Sequence, residues 1–158
     1  MSQLSTPQKI TPFLWFDNNG QEAMELYCSL FKNSKIISTS PGPDGSFFMG
    51  TFQLEGLNFH FINAGPMFKF NEAISLFVNC ESQEEVDYFW NNLIANGGVE
   101  SRCGWLKDKF GLSWQIIPSA LGKLMGDPNR EKAARVMQAM MKMNKINIAD
   151  LEAAYNQN

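Results

Sequence analysis

Histidine is nearly absent from this 158-residue chain: there is one, His60, beside three cysteines, Cys28, Cys80 and Cys103. One imidazole cannot build a zinc site of two or three, so a metal would need carboxylates, thiolates or a second chain. Three cysteines with no CxxC pair make no disulfide framework and suit a reducing compartment. Charged residues are sparse, 18% against roughly 25% in an average globular protein. Their balance, 13 basic to 16 acidic, argues against a nucleic-acid partner. No apolar run approaches the roughly 18–20 residues that span a bilayer, and the opening MSQLSTPQK lacks the apolar stretch of a signal peptide. P-loop, nucleophile-elbow and HExxH motifs are missing as well. These absences point to a cytoplasmic protein with neither a membrane nor a nucleic-acid partner. What is present is apolar (44%) and aromatic (13%), enough for the core of one domain covering residues 1–158.

The pattern of elements repeats. ITPFLWF (10–16) reads as a strand closed by Asp17-Asn18-Asn19-Gly20. A helix over about 20–32 follows, with Ala23, Leu26, Tyr27, Leu30 and Phe31 on one face. Strands over 35–40, 47–54 and 57–63 come next, the last two joined by the Glu55-Gly56 hairpin signal. The second half opens with a strand over 73–79. Ser82 and Glu85 then form a capping box for a helix running to about Asn96, with Gly97 as its C-cap. Strand-like stretches over 99–106 and 112–117 end at Pro118, with Lys107-Asp108-Lys109 as a solvated turn and Gly111 where a Cβ would hinder the backbone. Ala23 and Val86, Leu26 and Phe89, Tyr27 and Trp90, and Leu30 and Leu93 are each 63 residues apart. The result is an internal repeat of β-α-β-β-β units, α+β in class, with module one at about 8–66 and module two at about 70–118. Trp90 and Trp114 are expected between helix and sheet.

The remaining 119–158 form a helical tail rich in methionine. Asp127-Pro128 reads as a helix start, Ala133, Val136, Met137, Met140 and Met141 as its apolar stripe, and Ile148, Leu151 and Tyr155 as the packing side of a last helix. Such a stripe fills core or interface gaps, and an interface reading makes the tail a dimer contact.

Paired β-α-β-β-β modules resemble the vicinal-oxygen-chelate superfamily of glyoxalases, extradiol dioxygenases and bleomycin-type resistance proteins. The segments ITPFLWF (10–16), AGPMFKFNEAISLFVNC (64–80), CGWLKDKFGLSWQIIP (103–118) and RVMQAMMKMNKINIADLEAAY (135–155) are similar to its PhnB-like branch, which often carries a demethylubiquinone methyltransferase-like label. The resemblance implies cup-shaped mixed sheets with helices outside, homodimers, and, in metal-using members, ligands pointing into the cup from two strands of each module.

Strand alternation places Thr11, Phe13 and Trp15, then Asn58, His60 and Ile62, then Ala73, Ser75 and Phe77, then Ser113, Gln115 and Ile117 toward the cup. The positions matching the relatives' metal ligands are Thr11 or Phe13, His60, Ala73 and Gln115. Only His60 is a good ligand, so no metal and no cofactor is expected unless Glu72 turns inward or a partner chain helps. His60 is either a half-buried hydrogen-bonding side chain or an acid–base group. Cys103, on an expected inward strand, is a small hydrophobe or a reactive thiol. Trp15 and Trp105 are core or an aromatic pocket wall, with Asn63, Ser75 and Gln115 orienting a ligand. Methyl transfer from S-adenosylmethionine commonly needs a glycine-rich strand-to-helix turn in a parallel sheet, which these glycines do not supply. The expectation is a homodimer that binds a small organic ligand through Trp15, His60, Asn63, Ser75, Cys103, Trp105 and Gln115. A metal-dependent lyase, isomerase or dioxygenase using His60 is the alternative.

Overall fold

The computed structural model describes residues 8–157, so the reading of the first seven residues as leaderless lies outside it. The chain falls into two units, one ending at Lys69 and one beginning at Phe70.

The first unit contains β1 (Phe13–Phe16), α1 (Gly20–Leu30), β2 (Ser34–Pro41), β3 (Phe47–Leu54) and β4 (Leu57–Asn63). Its sheet has the order β1-β4-β3-β2, with β1 parallel to β4 and the other pairs antiparallel. Glu55 and Gly56 both take positive φ, the two-residue turn that the sequence signals, and Leu54 faces Leu57 across it. α1 packs on this sheet through Ala23, Met24, Tyr27 and Leu30 against Phe52, Phe59 and Phe61, all buried. Met24 takes the place expected of Leu26, which is only half-buried.

The second unit repeats the plan with β5 (Ser75–Cys80), α2 (Gln83–Ile94), β6 (Val99–Glu100), β7 (Trp105–Lys107) and β8 (Ser113–Pro118), in the order β5-β8-β7-β6. β5 is parallel to β8, as β1 is to β4. The α+β repeat of β-α-β-β-β modules is therefore real. Val86, Phe89, Trp90 and Leu93 of α2 bury against the sheet, where Trp114 and Ile116 are closed from solvent. Burying each large apolar side chain here contributes roughly 1.5–3 kcal/mol.

Several local expectations change. The stretch 99–106 is two short strands, because Cys103 (φ 58) and Gly104 (φ 83) break it into a turn. The strand expected over 73–79 begins only at Ser75, and Ile74 lies before it, 69% exposed. Ser82 does cap α2 by accepting from the Glu85 N–H, but the Glu85 carboxylate takes the Glu81 N–H, one residue before the cap. α2 ends at Ile94 with Ala95 as its C-cap, and Asn96 (φ 60), not Gly97, makes the first left-handed step. The turn after β7 is not solvated at its centre. Asp108 is buried and accepts from the N–H groups of Phe110 and Leu112 and from Trp114 Nε1. Gly111 does take positive φ, +87, in this turn.

The tail adds α3 (Ser119–Met125), α4 (Arg130–Met140) and α5 (Ile148–Asn156) to the second unit. Asn129, not Asp127, caps α4, accepting from the Glu131 and Lys132 N–H groups. Leu121, Val136, Ile146 and Leu151 form the tail's small core with Met140 and Met143 against it. Met137 and Met141, expected in the stripe, are 44% and 58% exposed. Gln83 on α2 holds the tail by donating to Ile146 O and accepting from Ile148 N–H. No described helix is long and apolar enough to cross a membrane.

Candidate functional site

The first sheet has two unlike faces. Leu14, Phe16, Phe59, Phe61 and Phe52 point to α1 and are buried. The other face is laid out in rows by the strand register. One row runs Phe13, His60, Thr51, Ser38, and the next runs Trp15, Ile62, Met49, Ser40. Strict alternation from Ile36 would send Ile37 and Thr39 to this face. A bulge between Ile36 and Ser38 skips one residue and turns Ser38 and Ser40 toward it. Phe13, Ser38, Ser40, Met49, Gly50, Thr51 and His60 line a cavity of about 280 Å³ here.

His60 is fixed in this cavity. Its Nδ1 lies 2.8 Å from Oγ1 of Thr51, which is buried, and the Phe13 ring sits 5.8 Å away at 57°. A threonine hydroxyl can donate or accept, so either imidazole tautomer is accommodated and Nε2 is left as the ring's remaining polar atom.

The second sheet carries its own version. Phe77, Gln115 and Trp105 form one row, and Ser75, Ser113 and Lys107 the next. Gln115 Nε2 donates to Ser75 Oγ at 2.9 Å, and Trp105 is half-buried. The Ser113 hydroxyl is buried with no partner among the described residues. Glu72 does not supply a free inward carboxylate: it is exposed and ion-paired to Lys107, which holds it below the usual carboxylate range.

Within each unit the expected site residues do not all stand on one face. His60 stands on the cavity face, and Trp15 shares that face, donating from Nε1 to Gly65 O and meeting Phe68 edge-on. Asn63 is on the opposite face with Phe61. Its amide is committed to Gly20 N–H, Phe47 O and Asn18 O, where it ties the start of α1 to the strand ends. Cys103 is in a turn, not on an inward strand, with its N–H on Met143 O. Burial and Glu85 and Glu81 push the Cys80 thiol up to about 12, and burial also raises Cys28. Thr51, Ser38, Ser40 and Met49 were not foreseen. Thr51 could have been: three residues back from Leu54 and three on from Leu57 face each other across a two-residue hairpin. The serines could not, because a bulge leaves no mark in an alternation count.

The donor set does not fit a divalent metal. At the positions expected from the resemblance to match metal ligands stand Phe13 or Thr11, His60 bonded to Thr51, Ala73, and Gln115 bonded to Ser75. Among the described residues no group of three His, Cys, Asp or Glu could hold a metal ion. Nor do the strand-to-helix turns fit S-adenosylmethionine. After β1 the turn is filled, since Gly20 N–H is taken by Asn63 and a Cβ there would lie 2.4 Å from Phe61. After β5 the turn is acidic and closed by Glu81 and Glu85.

Residues 8–117 match the family model described as 3-demethylubiquinone-9 3-methyltransferase. No curated protein matches the chain. Among solved structures, a putative 3-demethylubiquinone-9 3-methyltransferase, PhnB protein, from Bacillus cereus is 36% identical over 71% of this chain and 100% of its own, with a TM-score of 0.66. A Pseudomonas aeruginosa protein is 19% identical over 70% and 97%, TM-score 0.58. The fosfomycin resistance protein FosX from Listeria monocytogenes, solved with Mn(II) and sulfate, is 18% identical over 69% and 89%, TM-score 0.51. The last two share the fold alone. Together with the repeated β-α-β-β-β modules, the matched residues place this chain in the PhnB-like 3-demethylubiquinone-9 3-methyltransferase family.

Proposed function

We propose that this chain binds a small organic molecule on the cavity face of its first sheet, with His60 as the principal polar contact, and does so without a divalent metal. The observation that carries this is the Thr51–His60 pair lining a cavity of about 280 Å³ beside Phe13 and Met49. An oriented imidazole among aromatic and apolar walls is the usual make-up of a small-molecule site. Ser75, Trp105 and Gln115 give the second sheet a polar and aromatic face to which we assign the same kind of role.

The Mn(II) of the Listeria relative belongs to that protein. The donors at the matching positions here argue against carrying it over, and against a metal-dependent lyase or dioxygenase. Methyl transfer, which the family description names, has no support in the filled turn after β1. The reading also takes residues 1–158 as one cytoplasmic domain that forms a homodimer. Its support is three free cysteines, the exposed Met137 of α4 and the exposed Met141 that caps its end. The test is a thermal-shift screen of the untagged chain against a metabolite panel, repeated with His60→Ala. Binding that His60→Ala weakens supports the reading. Stoichiometric bound metal that His60→Ala removes would overturn it.

A further inference from the structure

The cavity on the first sheet has no carboxylate, ammonium or guanidinium among the described residues that line it. Its lining is hydroxyl, imidazole, aromatic and thioether. The nearest cation by register is Lys35, opposite Gln53 one row beyond Thr51, and it does not line the cavity. A charged ligand would leave water here without a counter-ion, which is costly. The hydroxyls offer the reverse. Thr51 is engaged with His60, whereas no protein group among the described residues takes the Ser38 or Ser40 hydroxyl. Both serines face the cavity only because β2 bulges at Ile37.

We propose that the bulged β2 edge makes this site selective for uncharged ligands bearing a hydroxyl or carbonyl on a flat apolar body. Ser38 and Ser40 bond the oxygen and Phe13 takes the body. This rests on the binding reading above and adds the ligand class and the specificity residues. Each serine can donate and accept, so both alcohols and ketones are satisfied. The unpartnered imidazole nitrogen of His60 adds a third contact. A cavity of about 280 Å³ suits a single-ring molecule.

Because the chain has one histidine, its ring resonances in an NMR spectrum of the full chain are unambiguous. Three matched probes separate the possibilities: benzyl alcohol, benzoate and benzylammonium. Benzyl alcohol is expected to shift the His60 resonances saturably, with the two ions at least about tenfold weaker. Ser38→Ala with Ser40→Ala should cost about tenfold per lost bond in benzyl alcohol affinity. Both serines lie on an edge strand away from the core, so these variants fold. Benzoate binding as tightly as the alcohol, through Lys35 for example, would overturn the ligand class and leave the binding reading standing. So would a double variant with unchanged affinity. No shift with any probe up to tens of millimolar would overturn both.

Discussion

His60 and Gln115 hold the same register position in the two sheets. Each stands opposite a phenylalanine of the module's first strand, Phe13 and Phe77. Each faces a third-strand residue, Thr51 and Trp105, on its other side. Both are hydrogen-bonded to a hydroxyl of their own module, Thr51 for the imidazole and Ser75 for the amide. Where metal-using relatives are expected to place ligands, this chain has two side chains each tied by one hydrogen bond to a hydroxyl neighbour.

Thr51→Val keeps the shape of the buried threonine and removes the hydroxyl that bonds Nδ1. The imidazole then loses its orientation, and ligand affinity should fall by roughly five- to tenfold, the worth of about 1 kcal/mol. The nitrogen-15 shifts of the His60 ring, which report the tautomer, should change in the free protein too. Unchanged ring shifts would show that Thr51 does not bond the imidazole.

Asp108→Asn replaces a carboxylate that accepts from Phe110 N–H, Leu112 N–H and Trp114 Nε1. The amide presents a donor toward donors inside a buried turn, at a cost of roughly 2–4 kcal/mol. Denaturant unfolding followed by tryptophan fluorescence measures it, and a loss under half a kilocalorie would mean the turn does not depend on the charge.

Gln83→Leu unpairs Ile146 O and Ile148 N–H, which the amide now bridges. The tail should loosen where α5 begins, by roughly 1–3 kcal/mol. Hydrogen exchange at residues 144–150 should speed up while the first unit is unaffected. Equal acceleration in both units would assign Gln83 a global role.

The Tyr155 hydroxyl donates to Asp127 Oδ2 at 2.7 Å, with the Lys132 ammonium over the tyrosine ring. The Asn129 N–H, Tyr155 and Lys132 hold Asp127 below the usual carboxylate range, and Asp127 raises Tyr155 above its ordinary value. The Asp127 contribution is present above its unfolded pKa and lost as pH falls through the lowered one. The Tyr155 contribution is full below its unfolded value and lost as pH rises through the raised one. Tail stability should therefore decline at both extremes, and Tyr155→Phe should reduce the alkaline decline of a melting-temperature profile.

Cys80 is buried and its thiol is pushed up to about 12, so it should resist alkylation at neutral pH in the folded chain and react only on unfolding. Mass spectrometry after brief iodoacetamide treatment reads this directly. Rapid native labelling of Cys80 would show that this strand end opens.

The sequence by itself determined the modules. Helical spacing in 23–31 and 86–94, alternation in the strands and the Glu55-Gly56 turn are local signals, and local signals suffice for elements and their order. They also put His60 on the face away from the helix. Tertiary structure decided what that face contains. The bulge at Ile37 shifts β2 by one residue, and a one-residue shift exchanges the faces of every side chain beyond it. Asn63 looked like a ligand-orienting amide until the start of α1 claimed it, and Asp108 looked solvated until three N–H groups converged on it. In each case the deciding partners include backbone N–H groups set by folding, and a side chain's own type says nothing about which unpaired N–H will reach it.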